Sequence, residues 1–567
     1  MSSHSLKEYQ EDRQKRGVYD KRNVINDLTG KEWLFSTKTI ISRSYSRIWP
    51  FDGKNRDHNP IPSDLSRELI ETFSKPGDTI LDPFAGIGTT LIGCFFSNTD
   101  SKRAKRKCIG IEQNESLLKD YYNLLSTLNI PDLGMVTSDP VQTLSDMKAN
   151  SIDLVFSDIP VWNISGEIDN ENITIELDHY QKFPLEVLQQ WCSLVNKIFS
   201  QAKNKLKESK YFVISIPNRN NLASRYRKEE FSSLNFALSG ILTNQLQKMG
   251  LILKAERIWF ESDSLNKNGI FNNLNRRFLV FRKEGSFQTS QNLNSLFFGR
   301  NIPIGGTYII HKSFPPSFNH KLRSEHGGMK PPELAQILIE RYTTNQEEIV
   351  LDPFAGVGGT LLGASLSGRK AIGIDINKRW KTIYRQVSQS NSLTPQEFHV
   401  GDSRHVVGEI IDNNQIDLIL TDVPYWAMDK LQKTRGRFSK AGEESRGKLP
   451  SPLHRFNRTS ILTIDEWLEL LKTVFSHCYP KLMDGKYLVV FIGNMYRTID
   501  ETRNGKVRKV GKYLLLSSML TKVLLEIGYS FIEEIIWYSP DKALHVFGYP
   551  YSYIPSIVHQ SILVFTK

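Results

Sequence analysis

The stretch LDPFAGIGTTLIGC, Leu81 to Cys94, returns as LDPFAGVGGTLLGA, Leu351 to Ala364, 270 residues further along the chain. In each copy an apolar run ends in an acid, Asp82 or Asp352. Proline and phenylalanine follow, then two glycines one residue apart, Gly86 and Gly88 or Gly356 and Gly358. An apolar strand, a glycine turn and an apolar helix in that order predict the opening βα unit of a doubly wound sheet, because only glycine lets the chain turn so tightly without side-chain collision.

The same features flank both copies. A proline-led amphipathic segment precedes each, Pro62 to Phe73 and Pro332 to Tyr342. After each come a strand closing on an acid (CIGIE at Glu112, AIGID at Asp375) and a third run ending near an acid (VTSD at Asp139, HVGD at Asp402). A fourth strand follows, DLVFSDIPVW or DLILTDVPYW, and both halves close through matching apolar runs, ERIWF and RRFLVFRK against EIIWY and SILVFTK. Short apolar strands alternating with helical patterns predict two tandem α/β, Rossmann-like domains with mainly parallel twisted sheets, whose ligands sit at the carboxyl ends of the strands. The acids and glycines all fall there. The polar stretch 284–306 reads as a linker, so the expected domains are 1–283 and 307–567.

With 567 residues, 39% of them hydrophobic, the chain can bury a core in each domain. It shows no charge-free apolar run long enough to span a bilayer, and MSSHSLKEYQEDRQKRG at the start lacks the pattern of a secretory signal, so a cytoplasmic protein with no membrane partner is expected. Cys94, Cys108, Cys192 and Cys478 are scattered without zinc-site spacing, which predicts reduced thiols and no metal. The net charge of +12 favours a polyanionic partner.

The acid before the glycines suits a cationic sulfonium ligand better than a pyrophosphate, and no Walker lysine follows. An acid about 20 residues on, at the end of the next strand, is placed to accept hydrogen bonds from two ribose hydroxyls. S-adenosylmethionine meets both requirements. The expected cofactor residues are Asp352, Phe354, Gly356, Gly358, Thr360, Asp375 and Asp402 in the second half and Asp82, Gly86, Gly88 and Glu112 in the first. On these residues the chain resembles the DNA amino-methyltransferases that modify adenine N6 or cytosine N4, whose cofactor loop is DPFxGxGT and whose catalytic loop is [DNS]PP[YF]. The resemblance covers nearly the whole chain, twice. NDLTGKEW (Asn26 to Trp33) and YSYIPSIVHQSILVFTK (Tyr551 to Lys567) look like flanking segments of such methylases. It implies two S-adenosylmethionine-dependent methyltransferase domains acting on double-stranded DNA with the target base turned out, in a restriction or host-defence setting.

An exocyclic amino nitrogen is a poor nucleophile because its lone pair is delocalised into the ring, so the site must supply acceptors for both N–H bonds. Asp422 offers a carboxylate, the backbone carbonyl beside Pro424 a second acceptor, and Tyr425 a ring to stack on the base. Val423 departs from the family pattern, at a position that contributes chiefly main chain. In the first half the loop reads Asp158, Ile159, Pro160, Val161, which removes the stacking ring and predicts a degenerate partner domain. Trp162 and Trp426 fit a wall or core role better than base stacking. A C5-cytosine methylase is excluded because no cysteine lies in a Pro-Cys loop.

Charge separates the halves as well. From Lys430 to Arg458 stand nine Lys or Arg against two Glu, including Lys433, Arg435 and Arg437, a composition that can track phosphates. The matching stretch Asn163 to Tyr180 has five acids and neither Lys nor Arg. SKRAKRK at Ser101 to Lys107 reads as an exposed connection. The competing readings are an RNA guanine-N2 methyltransferase, which shares the turn and a similar loop, and a non-catalytic DNA-binding or assembly subunit.

Overall fold

The structure is a computed structural model; it describes residues 19–45, 60–98, 104–159, 185–217, 234–260, 272–273, 276–284, 307–313, 315, 317–326, 328–424, 426, 463–503 and 506–567. The chain forms two compact units. The first comprises Met1–Tyr308, Met495–Leu515 and Ala543–Val558, and the second Ile309–Asn494, Leu516–Lys542 and His559–Lys567. Two segments late in the sequence thus belong to the first unit, an exchange that the repeat does not reveal. Of the stretch 284–306 expected as a linker, only Glu284 is among the described residues.

The strands of the first unit are β1 (Ile40–Ser42), β2 (Thr79–Asp82), β3 (Lys107–Glu112), β4 (Val136–Thr137), β5 (Ile152–Asp158), β6 (Leu206–Pro217), β7 (Leu251–Phe260), β8 (Asn272–Asn273) and β9 (Arg276–Lys283). Its main sheet runs β1-β7-β9-β6-β5-β2-β3-β4. Strands β2 to β6 pair in parallel, and β9 lies antiparallel between β6 and β7. Strand β10 (Thr307–Ile310) straddles the boundary between the units at Tyr308; in the second unit β11 (Ile349–Asp352), β12 (Lys370–Asp375), β13 (Glu397–Val400), β14 (Ile416–Asp422), β15 (Leu482–Ile492), β18 (Ser530–Tyr538) and β19 (His559–Thr566) repeat the plan in the order β13-β12-β11-β14-β15-β19-β18. Here β19 is the antiparallel strand between β15 and β18. In both sheets the order reverses beside the strand that leads into the glycine turn, β2 against β5 and β11 against β14. That switch point opens a crevice at the carboxyl strand ends. The tandem Rossmann-like α/β architecture is the one the repeat predicts.

The proline-led segments form the helices Ser63–Phe73 and Pro332–Tyr342, which pack against the helices after the glycine turns, Thr89–Ser97 and Gly359–Leu366. Close approach explains the residues chosen: a Cβ at Gly363 would stand 2.7 Å from the Ala335 Cβ. The flanking segments NDLTGKEW and YSYIPS meet in the first unit. Thr29 and Glu32 form a reciprocal cap on the helix Gly30–Ser36, and Trp33 lies edge-on to Tyr549 and Tyr553, with its Nε1 donating to the Phe547 carbonyl at 3.0 Å. Tyr553 also packs on Phe73, ring centres 4.9 Å apart. The hairpin of β16 (Met495–Arg503) and β17 (Lys506–Leu514) joins this unit too, Lys254 Nζ donating to the Gly511 carbonyl at 2.7 Å.

Two expectations are corrected. Cys94, on the sheet-facing side of its helix, is joined to Cys108 on β3, with Cα atoms 6.5 Å apart, while Cys192 and Cys478 are free and buried. Within SKRAKRK, Arg106 is not exposed: it is 5% accessible, and its Nε and Nη2 donate to the Ser74 hydroxyl and carbonyl, because β3 begins there and draws the side chain inward.

Candidate active site

The glycine turn of the second unit is tied down by the two acids around it. Asp352, at the end of β11, accepts from the Phe354 amide at 3.0 Å and from the Thr421 hydroxyl at 2.6 Å. Asp375, at the end of β12, accepts from the Gly356 amide at 3.0 Å and the Asn377 amide at 2.8 Å. Burial pushes both carboxyls up to about 6, with hydrogen-bond donors opposing the rise and, for Asp352, the charge of Asp422 adding to it. Gly358 has φ 75°, and a Cβ there would come within 2.2 Å of the Tyr384 ring. Phe354 lies edge-on to Phe475, and the Thr360 hydroxyl donates to the Leu420 carbonyl at 3.3 Å. Asp402 instead caps the helix Ser403–Ile410 through the Arg404 amide and pairs with the Arg404 guanidinium at 2.6 Å, which holds its carboxyl below the usual range.

Asp422 ends β14 one residue after Thr421, so the strand that carries it is bonded directly to Asp352. Its Oδ2 accepts from Lys330 Nζ at 2.7 Å. Lys330 is 9% accessible and lies over the rings of Phe491 and Trp537, 5.6 and 5.8 Å from their centres. Arg323 holds the Lys330 backbone, Nη2 donating to its carbonyl at 2.5 Å. His326 stands over Gly356 and edge-on to Trp380; burial, then Lys330 and Arg323, push its imidazole down to about 4, so it is neutral at pH 7. The Pro424 carbonyl accepts from Trp467 Nε1 at 2.7 Å. Tyr425, Lys433, Arg435 and Arg437 lie outside the described residues.

Lys330, His326 and Trp467 escape sequence reasoning. A signal for Trp467 was present: Trp191 and Trp467 each stand 15 residues before the leucine, Leu206 or Leu482, that opens the fifth strand of its repeat.

The first unit repeats the cofactor end of the site. Asp82 accepts from the Phe84 amide at 3.1 Å, and burial pushes its carboxyl up to about 7. Glu112 accepts from the Gly86 amide at 2.9 Å, and burial likewise raises it. Gly88 has φ 75° against Tyr121, as Gly358 has against Tyr384.

A model of the N6/N4 DNA methylase family matches residues 3–123, 152–386 and 416–567. The chain belongs to the N6/N4 DNA methylase family. Methylases of this family draw their methyl group from S-adenosylmethionine. The chain is 33% identical over 136 residues to the tRNA (guanine(10)-N2)-dimethyltransferase of Methanocaldococcus jannaschii, covering 23% of this chain and 38% of that one. It is 23% identical over 288 residues to the type II methyltransferase M2.DpnII of Streptococcus pneumoniae, covering 49% of this chain and 95% of that one. The crystal structure of TrmN from Thermus thermophilus aligns over 55% of this chain and 59% of that one, with TM-score 0.27 and 15% identity. The chain spans about a third of the length of the tRNA-modifying relatives, 34% and 38% for two of them. Among the described residues no helix is long and apolar enough to cross a membrane.

Proposed function

We propose that the second unit methylates an exocyclic amino group of a base in double-stranded DNA, adenine N6 in preference to cytosine N4, on a base turned out of the duplex. The supporting observation is the placement of Asp422: a carboxylate beside a buried lysine, one residue from the threonine that bonds to Asp352 in the glycine-turn cradle. The cradle fits S-adenosylmethionine, since Asp352 and Asp375 present buried carboxylates to a cationic ligand bearing two ribose hydroxyls.

In this reading the cofactor supplies an electrophilic methyl carbon, and the chain's own residues do the rest. Lys330 pairs with Asp422 at 2.7 Å, and Asp422 accepts one N–H of the target amine. The Pro424 carbonyl is taken by Trp467, which leaves the neighbouring Val423 carbonyl to accept the second N–H. With both N–H bonds held, the nitrogen pair is directed at the methyl carbon. That pair would meet the electrophilic methyl group that the bound cofactor supplies, and the proton released from the nitrogen would pass to Asp422, the carboxylate already accepting its N–H. Tyr425 stacks on the extruded base, the basic segment around Lys433, Arg435 and Arg437 follows the phosphates, and a nuclease reading the same site is the companion.

The likeness to tRNA guanine-N2 enzymes favours RNA as the second reading. Transfer of radiolabelled methyl groups to DNA and to tRNA, followed by identification of the modified nucleoside, decides between them. N6-methyladenine in DNA is the expected product; label confined to tRNA guanine overturns the proposal.

A further inference from the structure

The two units compensate the acid at the end of the fourth strand in different ways. Asp422 is paired across the sheet with Phe491, and Phe491 with Ile562; Asp158 is paired with Ser215, and Ser215 with Phe278. Two residues before Phe278 stands Arg276, and two before Ile562 stands Gln560. Ser215, small where Phe491 is large, leaves room for the Arg276 guanidinium, whose Nη1 lies 2.5 Å from Asp158 Oδ1 and 2.8 Å from the Ser215 hydroxyl. The lysine position changes in concert. Gly93 packs on Ser63 as Gly363 packs on Pro332, so Lys330 answers to Ile61. The cation that faces the acid therefore comes from β9, at a guanidinium 1% accessible and anchored at two points. Drawing Asp158 away to accept an amine would strand that buried charge. Asp158 has become a fastener of β9, and Val161 offers a base no ring.

The cofactor end of the first unit has kept its geometry, with the Glu112 to Gly86 bond at 2.9 Å against 3.0 Å for Asp375 to Gly356. Gly88 keeps the left-handed turn, and among the described residues nothing lies within 4 Å of where a Gly86 Cβ would stand. We infer that the first unit is a second adenosyl-ligand site, which takes up S-adenosylmethionine or its demethylated product and transfers nothing. This rests on the adenosyl-cofactor reading of the second unit.

Titration calorimetry of the full chain with S-adenosylhomocysteine, repeated with S-adenosylmethionine, tests it. The wild type should bind two equivalents, Glu112→Ala and Asp375→Ala one each, and the double variant none. Because Glu112 also holds the turn, Glu112→Gln serves as a second variant: it keeps an oxygen acceptor for the Gly86 amide and should weaken one of the two sites about tenfold, with thermal melting recording that the fold is retained. One equivalent in the wild type, abolished by Asp375→Ala and untouched by Glu112→Ala, overturns the inference and leaves the proposed function standing. No binding at all overturns both. Asp422→Ala, loaded with labelled methyl donor, should give unlabelled DNA; labelled DNA would show that the first unit transfers.

Discussion

At the residue scale the proposed reaction separates binding from chemistry, and the separation is measurable. Asp422→Ala should abolish methyl transfer while the dissociation constant for S-adenosylmethionine stays within about twofold, since Asp422 faces the amine in the proposed reaction while Asp352 and Asp375 form the cradle. Appreciable residual turnover would remove Asp422 from the reaction. If Asp375 holds the ribose, as proposed, cofactor binding depends on pH. Its carboxyl sits at about 6 in the ligand-free fold, and ribose hydroxyls donate to the ionised form. Affinity should therefore be full above pH 7 and fall as the pH drops through 6, approaching about tenfold per unit. For the ligand-free fold the sign is opposite: a raised carboxyl favours the folded state at low pH, and that contribution is lost as the pH rises through 6. A dissociation constant that does not change between pH 5 and 8 would contradict this reading. The strand-end places of Asp375 and Asp422 and the turn at Gly356 were legible in the sequence because all three belong to repeated motifs. Lys330 was not, since its partner lies 92 residues away and the first copy has Ile61 in its place.

At the element scale the helix Ile464–Cys478 acts on the catalytic loop through one hydrogen bond. Trp467 is 1% accessible, and its indole fixes the Pro424 carbonyl next to the proposed acceptor Val423. Trp467→Phe keeps the ring and loses the donor, at a cost of about 1 kcal/mol or somewhat more with the carbonyl left buried. The expected result is a fall in kcat of about tenfold with little change in cofactor affinity; a selective loss of cofactor affinity would place Trp467 elsewhere in function. The strand and helix pattern of both sheets was readable because period, glycine turns and terminal acids agreed twice over. The segment after Pro424 is a different matter, its composition giving charge without periodicity. Neutralising Lys433, Arg435 and Arg437 together should weaken DNA binding and flatten its salt dependence by up to about three units of slope, at roughly 0.9 per phosphate contact. An unchanged slope would make that segment a solvated loop.

At the scale of the whole molecule, tandem repetition suggested a clean cut between halves, and the units instead draw on segments far apart in sequence. Nothing in the repeat announces this, because the exchanged segments, residues 495–515 and 543–558, have no described counterpart in the first copy. Tyr553 is the clearest instance: it lies more than 500 residues along the chain from Trp33 yet packs on Trp33, Phe73 and Tyr211 of the first unit. Tyr553→Ala should remove about 3 kcal/mol from that unit, as large-to-small changes at buried aromatics do. In calorimetry the transition that Glu112→Ala perturbs should shift down and the one that Asp375→Ala perturbs should not; the reverse pattern would dissociate Tyr553 from the first core. The interleaving also sets a timetable. A ribosome that has finished residue 308 has made most of the first unit but not its last pieces, and the remaining 250 or so residues take on the order of tens of seconds to emerge at about 5–20 per second. Over that interval Trp33 and Phe73 await their aromatic partners, and β15 and β18 likewise await β19. Both units are thus completed by residues 543–566, and a chain cut before residue 543 completes neither.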